Sequence, residues 1–178
     1  MSDKINYASI NDIIRFLSEH EMVPRKKWGQ NFLINMQVRD NIISVLDPRH
    51  DEYIWEIGPG LGVMTEEILP QVKKLLAFEI DRGYIEFLKK RFAEYSGFSI
   101  ISGDVIKTWR SVHKEQGVPD KVVGNLPYNS ANKIILDFLR DRFSPKVLVF
   151  LVQKEAAFRL TAKPGTKQYS SFSVLGRI

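Results

Sequence analysis

Apolar positions fall into two rhythms along this chain. In the first fifty residues they recur at helical spacing. Ile10, Ile13, Ile14 and Leu17 follow Ser9, and Ser9 with Asp12 makes a Ser-x-x-Asp capping box, so a helix is predicted over Ser9 to His20. Val38, Ile42, Val45 and Leu46 line one face of a second helix, stopped at Pro48. Between them, Arg25-Lys26-Lys27-Trp28-Gly29-Gln30-Asn31 reads as a basic loop. From residue 53 the rhythm changes to short apolar runs alternating with amphipathic stretches. The runs are Tyr53–Ile57, Leu75–Ile80, Phe98–Ile101, Lys121–Gly124 and Lys146–Val152. Helices are predicted near Val63–Leu69, Gly83–Tyr95, Val105–Gln116 and Asn129–Arg140, with Ile85, Leu88 and Phe92 as one stripe and Ile134, Ile135, Phe138 and Leu139 as another. Tyr169–Ile178 reads as a further helix. Such alternation means βαβ units, hence a doubly wound α/β fold with a mostly parallel sheet between two helix layers. Its last run, Lys146–Val152, is expected at a sheet edge.

Composition narrows the chemistry. The 178 residues contain no cysteine, which excludes a disulfide framework, a thiolate metal site and a cysteine nucleophile. The three histidines are scattered, so no metal site is expected. No apolar run approaches the ~18 residues of a membrane span, and Met1 to Arg15 lack the apolar core of a signal peptide, so a cytoplasmic protein is expected. A net charge of +5 permits a nucleic-acid partner without requiring one.

In doubly wound sheets ligands sit outside the carboxyl ends of the strands, so the residues after each run are the candidates. After the first run comes Glu56-Ile57-Gly58-Pro59-Gly60-Leu61-Gly62. Glycines allow a tight turn and a close ligand approach. A dinucleotide fingerprint wants glycine at 58, 60 and 63, but position 63 is Val and the third glycine is at 62. That spacing fits a nucleoside with an amino-acid tail better than a pyrophosphate. Glu79 ends the second run at ribose-binding distance along the chain, and Asp81 beside it reads as a helix cap. Asp104, after the third run, suits both an N-cap and an acceptor for an adenine amine. After the fourth run comes Asn125-Leu126-Pro127-Tyr128. Pro127 fixes its own φ and holds Leu126 extended, so the turn aims the Asn125 side chain and a backbone carbonyl, Leu126 or Pro127, in one direction beside the Tyr128 ring. Two acceptors and a ring suit an amino group on a flat heteroaromatic base.

These residues together resemble the ribosomal RNA adenine N6,N6-dimethyltransferases that modify two adjacent adenines of the small subunit. Gly29-Gln30-Asn31-Phe32-Leu33, the glycine turn, Phe78-Glu79-Ile80-Asp81, Gly103-Asp104, Asn125 to Tyr128 and Val152-Gln153-Lys154-Glu155 fall in that family's order and spacing, over roughly residues 25 to 178. The resemblance implies a Rossmann-like methyltransferase fold with S-adenosylmethionine as cofactor. It implies that Asn31 and Leu33 close over the cofactor, Gly58 and Gly60 contact its amino-acid end, Glu79 binds the ribose, Asp104 the adenine, and Asn125 lies between cofactor and target. Asn125, Leu126, Pro127 and Tyr128 are then the catalytic turn. Arg25, Lys26 and Lys27 beside Trp28 are the candidate RNA-phosphate contacts. Residues 1–24 are expected as an N-terminal helical extension and 25–178 as the cofactor-binding domain of a monomer acting on small-subunit ribosomal RNA or its precursor particle. The family continues through two more strands and a small helical domain, so a fragment is expected. Three rival readings stand beside this one. They are a large-subunit adenine methyltransferase of the antibiotic-resistance type, a non-catalytic nucleic-acid-binding module on the same fold, and an NAD oxidoreductase.

Overall fold

The computed structural model describes residues 5–22 and 32–177. Helix α1 (Ile10–Glu19) begins where Ser9 accepts a hydrogen bond from the Asp12 amide. The reciprocal arm of the expected capping box is replaced. The Ser9 amide donates to the Asn6 carbonyl, and the Asp12 carboxylate takes Asn6 and Arg15 instead. Helix α2 (Met36–Leu46) buries Ile42 and Leu46, but Val45 is 67% exposed. At 100° per residue Val45 falls on the solvent edge of the stripe rather than within it.

Five strands follow: β1 (Tyr53–Ile57), β2 (Lys74–Glu79), β3 (Phe98–Ser102), β4 (Lys121–Asn125) and β5 (Val147–Leu151). All pair in parallel, in the order β3-β2-β1-β4-β5. The connecting helices are α3 (Thr65–Ile68), α4 (Arg82–Arg91), α5 (Val105–Gln116) and α6 (Ala131–Arg140); α7 (Lys154–Thr161) and α8 (Ser171–Leu175) come after the sheet. The sequence pattern did not predict α7, an eight-residue helix whose small face of Ala156, Ala157 and Leu160 is only half-buried.

The period of two in β1 sends neighbours to opposite faces. Trp55 and Ile57 join Leu76, Phe78 and Val122 under α5, α6 and Phe172 of α8. Ile54, Leu75 and Val123 meet α2, the residues around α3, and α4 on the other face. A third cluster docks α1 on the molecule through Ile13, Phe16 and Leu17 against Leu61 and Tyr84. The chain runs β1 to β3 in one direction across the sheet and places β4 and β5 on the other side of β1. The carboxyl ends of β1 and β4 therefore part at a topological switch point, where such sheets open a crevice.

Candidate active site

Both sides of that crevice are turns, and the one after β1 has an unusual backbone. Leaving β1, Gly58, Gly60 and Gly62 take φ of +68°, +57° and +85°. Gly62 has a second constraint, because a Cβ there would sit 2.9 Å from Leu88 Cδ2 and 3.0 Å from Phe92 Cε2. The amides of Gly58 and Gly60 are committed. The Gly58 amide donates to the Phe78 carbonyl at 2.9 Å, and the Gly60 amide to Glu79 Oε2 at 3.2 Å. A phosphate-binding loop leaves such amides open to the ligand. Here they lash the turn to β2.

Glu79 is the other end of that lashing. Its Oε1 accepts from the amides of Ile80 (2.7 Å) and Asp81 (2.9 Å), and the residue is 4% exposed. Burial pushes its carboxyl above the usual range, and the amides of Asp81, Ile80 and Gly60 pull it back. Oε2 takes the one bond from Gly60, which leaves lone-pair capacity toward the crevice. Asp81 caps α4 through the Gly83 amide, as expected. Asp104 caps α5 with Oδ1 on the Ile106 amide at 3.0 Å, while its other oxygen takes no hydrogen bond among the described residues.

On the far side of the crevice, Leu126 is buried and its amide closes on the Leu151 carbonyl of β5 at 3.0 Å. The Pro127 carbonyl is consumed by α6, accepting from the amides of Ser130 (3.1 Å) and Ala131 (2.9 Å). The Leu126 carbonyl accepts no hydrogen bond among the described residues. Of the two backbone carbonyls named from the sequence, that of Leu126 is the one without a hydrogen bond among the described residues. The Tyr128 ring is 51% exposed beside it. The turn approaches the glycine corner closely, since a Cβ on Gly58 would lie 3.9 Å from the Asn125 carbonyl.

A cavity of about 40 Å³ lies between the two turns, lined among others by Leu33, Gly58, Gly60 and Asn125. Four of the sequence candidates meet there. Glu79 and Asp104 lie outside it, at the ends of β2 and β3 along the same sheet edge. Asn31, Arg25, Lys26 and Lys27 lie outside the described residues. The cavity also has walls that no motif announced, namely Tyr7 and Ile13 of the N-terminal segment. Tyr7 donates a buried 2.8 Å hydrogen bond to the Leu61 carbonyl inside the glycine turn. Beneath the turn, Glu56 is fully buried. Thr65 donates to its Oε2 at 2.6 Å, and Oε1 has no partner. Burial raises its pKa from 4.5 to about 7. An acid inside the apolar run Tyr53–Ile57 was the sequence signal for it. Two carboxylates and committed amides suit a ligand with hydroxyls or positive charge rather than a phosphate.

An open parallel sheet with a glycine corner at its switch point defines a Rossmann-like fold of the methyltransferase class. A dimethyladenosine transferase from Plasmodium falciparum is similar over 79% of this chain and 50% of its own, with a TM-score of 0.67 and 28% identity. The chain belongs to the ribosomal RNA adenine dimethylase family, whose model matches residues 23–178. It is 48% identical over 175 residues to the protein named Ribosomal RNA small subunit methyltransferase A of Borreliella burgdorferi, covering 98% of this chain and 61% of that one. It is 45% identical over 172 residues to the protein of the same name from Treponema denticola, covering 96% and 59%. The chain thus spans about three fifths of the length of these relatives. No helix among the described residues is long and apolar enough to cross a membrane.

Proposed function

We propose that this chain forms the cofactor-binding part of an enzyme that methylates N6 of two adjacent adenines in small-subunit ribosomal RNA, using S-adenosylmethionine. The observation that carries the reading is the Asn125–Tyr128 turn. It offers a carbonyl at Leu126 that accepts no hydrogen bond among the described residues, beside a cleft bordered by the glycine turn, with the Glu79 and Asp104 carboxylates further along the same sheet edge. Family membership and the names of the relatives point the same way.

A sulfonium nucleoside bound in the cleft supplies an electrophilic methyl group. Gly58 and Gly60 border its amino-acid end, Leu33 covers it together with Asn31, Glu79 takes ribose hydroxyls, and the spare oxygen of Asp104 accepts from its adenine amine. Asn125 Oδ1 and the Leu126 carbonyl accept the two N6–H bonds of the target adenine, which frees the nitrogen lone pair from the ring and directs it at the cleft. Positioning of this kind lowers a barrier by several kcal/mol, up to ~7–11 in the best oriented cases. Tyr128 stacks on the target base and steadies the positive charge that develops, an interaction of about 0.5–2 kcal/mol. The target enters unstacked. Arg25, Lys26 and Lys27 supply phosphate contacts, so RNA affinity falls steeply with salt. The partner is the small subunit or its precursor, met by a monomer in the cytoplasm.

Calorimetric titration with S-adenosylmethionine, paired with methyl transfer to purified small and large subunits, tests this. Asn125→Ala is expected to cut transfer to the small subunit by about 100-fold, the scale of losing one transition-state hydrogen-bonding group, while cofactor affinity changes far less. Equal losses would reduce Asn125 to a cofactor contact. Transfer to the large subunit alone would replace this reading with the resistance-type one.

A further inference from the structure

A second cavity, of about 120 Å³, opens on the other side of the Asn125–Tyr128 turn. Its walls are the Tyr128 ring, Asn132 at the start of α6, and Gln153, Glu155 and Arg159 on or beside α7. The lining is polar and its groups are uncommitted. Asn132 Oδ1 is buried without a hydrogen-bond partner. Gln153 precedes α7 without capping it. Among the described residues, no carboxylate pairs with the Arg159 guanidinium. The backbone carrying these groups is nonetheless held in place. Ala131 donates to the Pro127 carbonyl at 2.9 Å, and the buried Ser173 hydroxyl donates to the Arg159 carbonyl at 2.5 Å, which pins α7 against α8. A pocket with one buried amide oxygen, an exposed amide, carboxylate and guanidinium on or beside α7, and a half-exposed ring has the chemistry of a nucleotide site. The ring stacks on a base, the two amides and Glu155 meet donors and acceptors on the base edge, and the guanidinium meets a phosphate.

We infer that this cavity holds the nucleotide next to the target adenine, with its base against Tyr128, Asn132 and Gln153 and its phosphate on Arg159. The inference rests on the proposed RNA adenine reading, since Tyr128 belongs to both sites. The shared turn places the two bases on either side of one ring, with the target amine at Asn125 and its neighbour one step along the strand. The pocket thereby becomes a reader of sequence context that the catalytic turn alone does not supply.

The test is a titration of the protein, loaded with S-adenosylhomocysteine, with a short single-stranded RNA containing two adjacent adenines. A matched RNA lacks the base at the neighbouring position. Gln153→Ala and Asn132→Ala are expected to weaken binding of the intact RNA about tenfold, within the range of losing base-edge contacts, and to leave binding of the abasic RNA unchanged. Arg159→Ala is expected to weaken both RNAs and to reduce the slope of log affinity against log salt by about 1. None of the three changes should alter binding of S-adenosylhomocysteine. If the wild-type protein binds both RNAs equally, or the variants match it on the intact RNA, the neighbouring base lies elsewhere and the inference fails. Binding of the nucleoside without any RNA binding also overturns the inference and leaves the cofactor reading standing. Failure to bind even the nucleoside overturns the proposed function first.

Discussion

Glu56 shows how far a single side chain departs from its ordinary chemistry when a fold surrounds it. It is fully buried in β1, with one hydroxyl from Thr65 as partner, and burial raises its pKa from 4.5 to about 7. The native chain therefore holds a proton between about pH 4.5 and 7 that the unfolded chain has released. Through this group, stability falls as pH rises across that window and levels off above it. Glu56→Gln keeps an acceptor for Thr65 and removes the titration. The stability advantage of the variant over the wild type, from urea unfolding, is expected to grow between pH 5 and pH 8 by about 2–3 kcal/mol. A difference that stays level with pH would mean the carboxylate is ionised throughout. The sequence displays this residue as an acid inside an apolar strand. Its protonation is invisible there, because it depends on burial by residues distant in the chain.

The N-terminal helix makes the corresponding point for an element. Its existence was legible from Ile10, Ile13, Ile14 and Leu17 and from the Ser9 cap, and α1 forms where the pattern puts it. Its destination was not. The inward stripe of Ile13 and Leu17, together with Tyr7, packs on the glycine turn through Leu61, which no periodicity encodes. The Tyr7 hydroxyl is a polar tie in that seat, at 2.8 Å from the Leu61 carbonyl. Tyr7→Phe leaves this carbonyl buried without its donor and is expected to cost about 1–2 kcal/mol of stability. Because the same turn borders the cleft, affinity for S-adenosylmethionine should fall with it by calorimetry. Lost stability with unchanged affinity would separate α1 from the site. Val45 and α7 were misjudged for related reasons. Val45 has the right spacing but lies on the rim of the buried stripe, and α7 is short, with a face of two alanines and Leu160 that gives only a faint signal.

At the scale of the whole molecule, the sheet was the most legible part. Parallel strands covered by helices leave short apolar runs between amphipathic segments, and β1 and α5 match their predicted limits while the ends of β2 to β5 shift by at most one residue. The strand order, with its switch point between β1 and β4, follows from packing across both faces and appears in no single segment. The site residues Gly58, Gly60, Leu33 and Asn125 converge on one cavity because that order sets the ends of β1 and β4 side by side. The internal use of the turn's hydrogen bonds was hidden from the sequence. The Gly58 and Gly60 amides hold β2, and the Pro127 carbonyl starts α6, so the groups offered to a ligand include a carboxylate edge and the Leu126 carbonyl. The account stands or falls on those groups. A crystal structure of the chain with S-adenosylhomocysteine tests it most directly. The nucleoside is expected along the carboxyl edge of the sheet, its ribose at Glu79 and its sulfur facing Asn125 and the Leu126 carbonyl. A nucleoside bound away from this edge, or a sulfur facing away from the Asn125–Tyr128 turn, would contradict it.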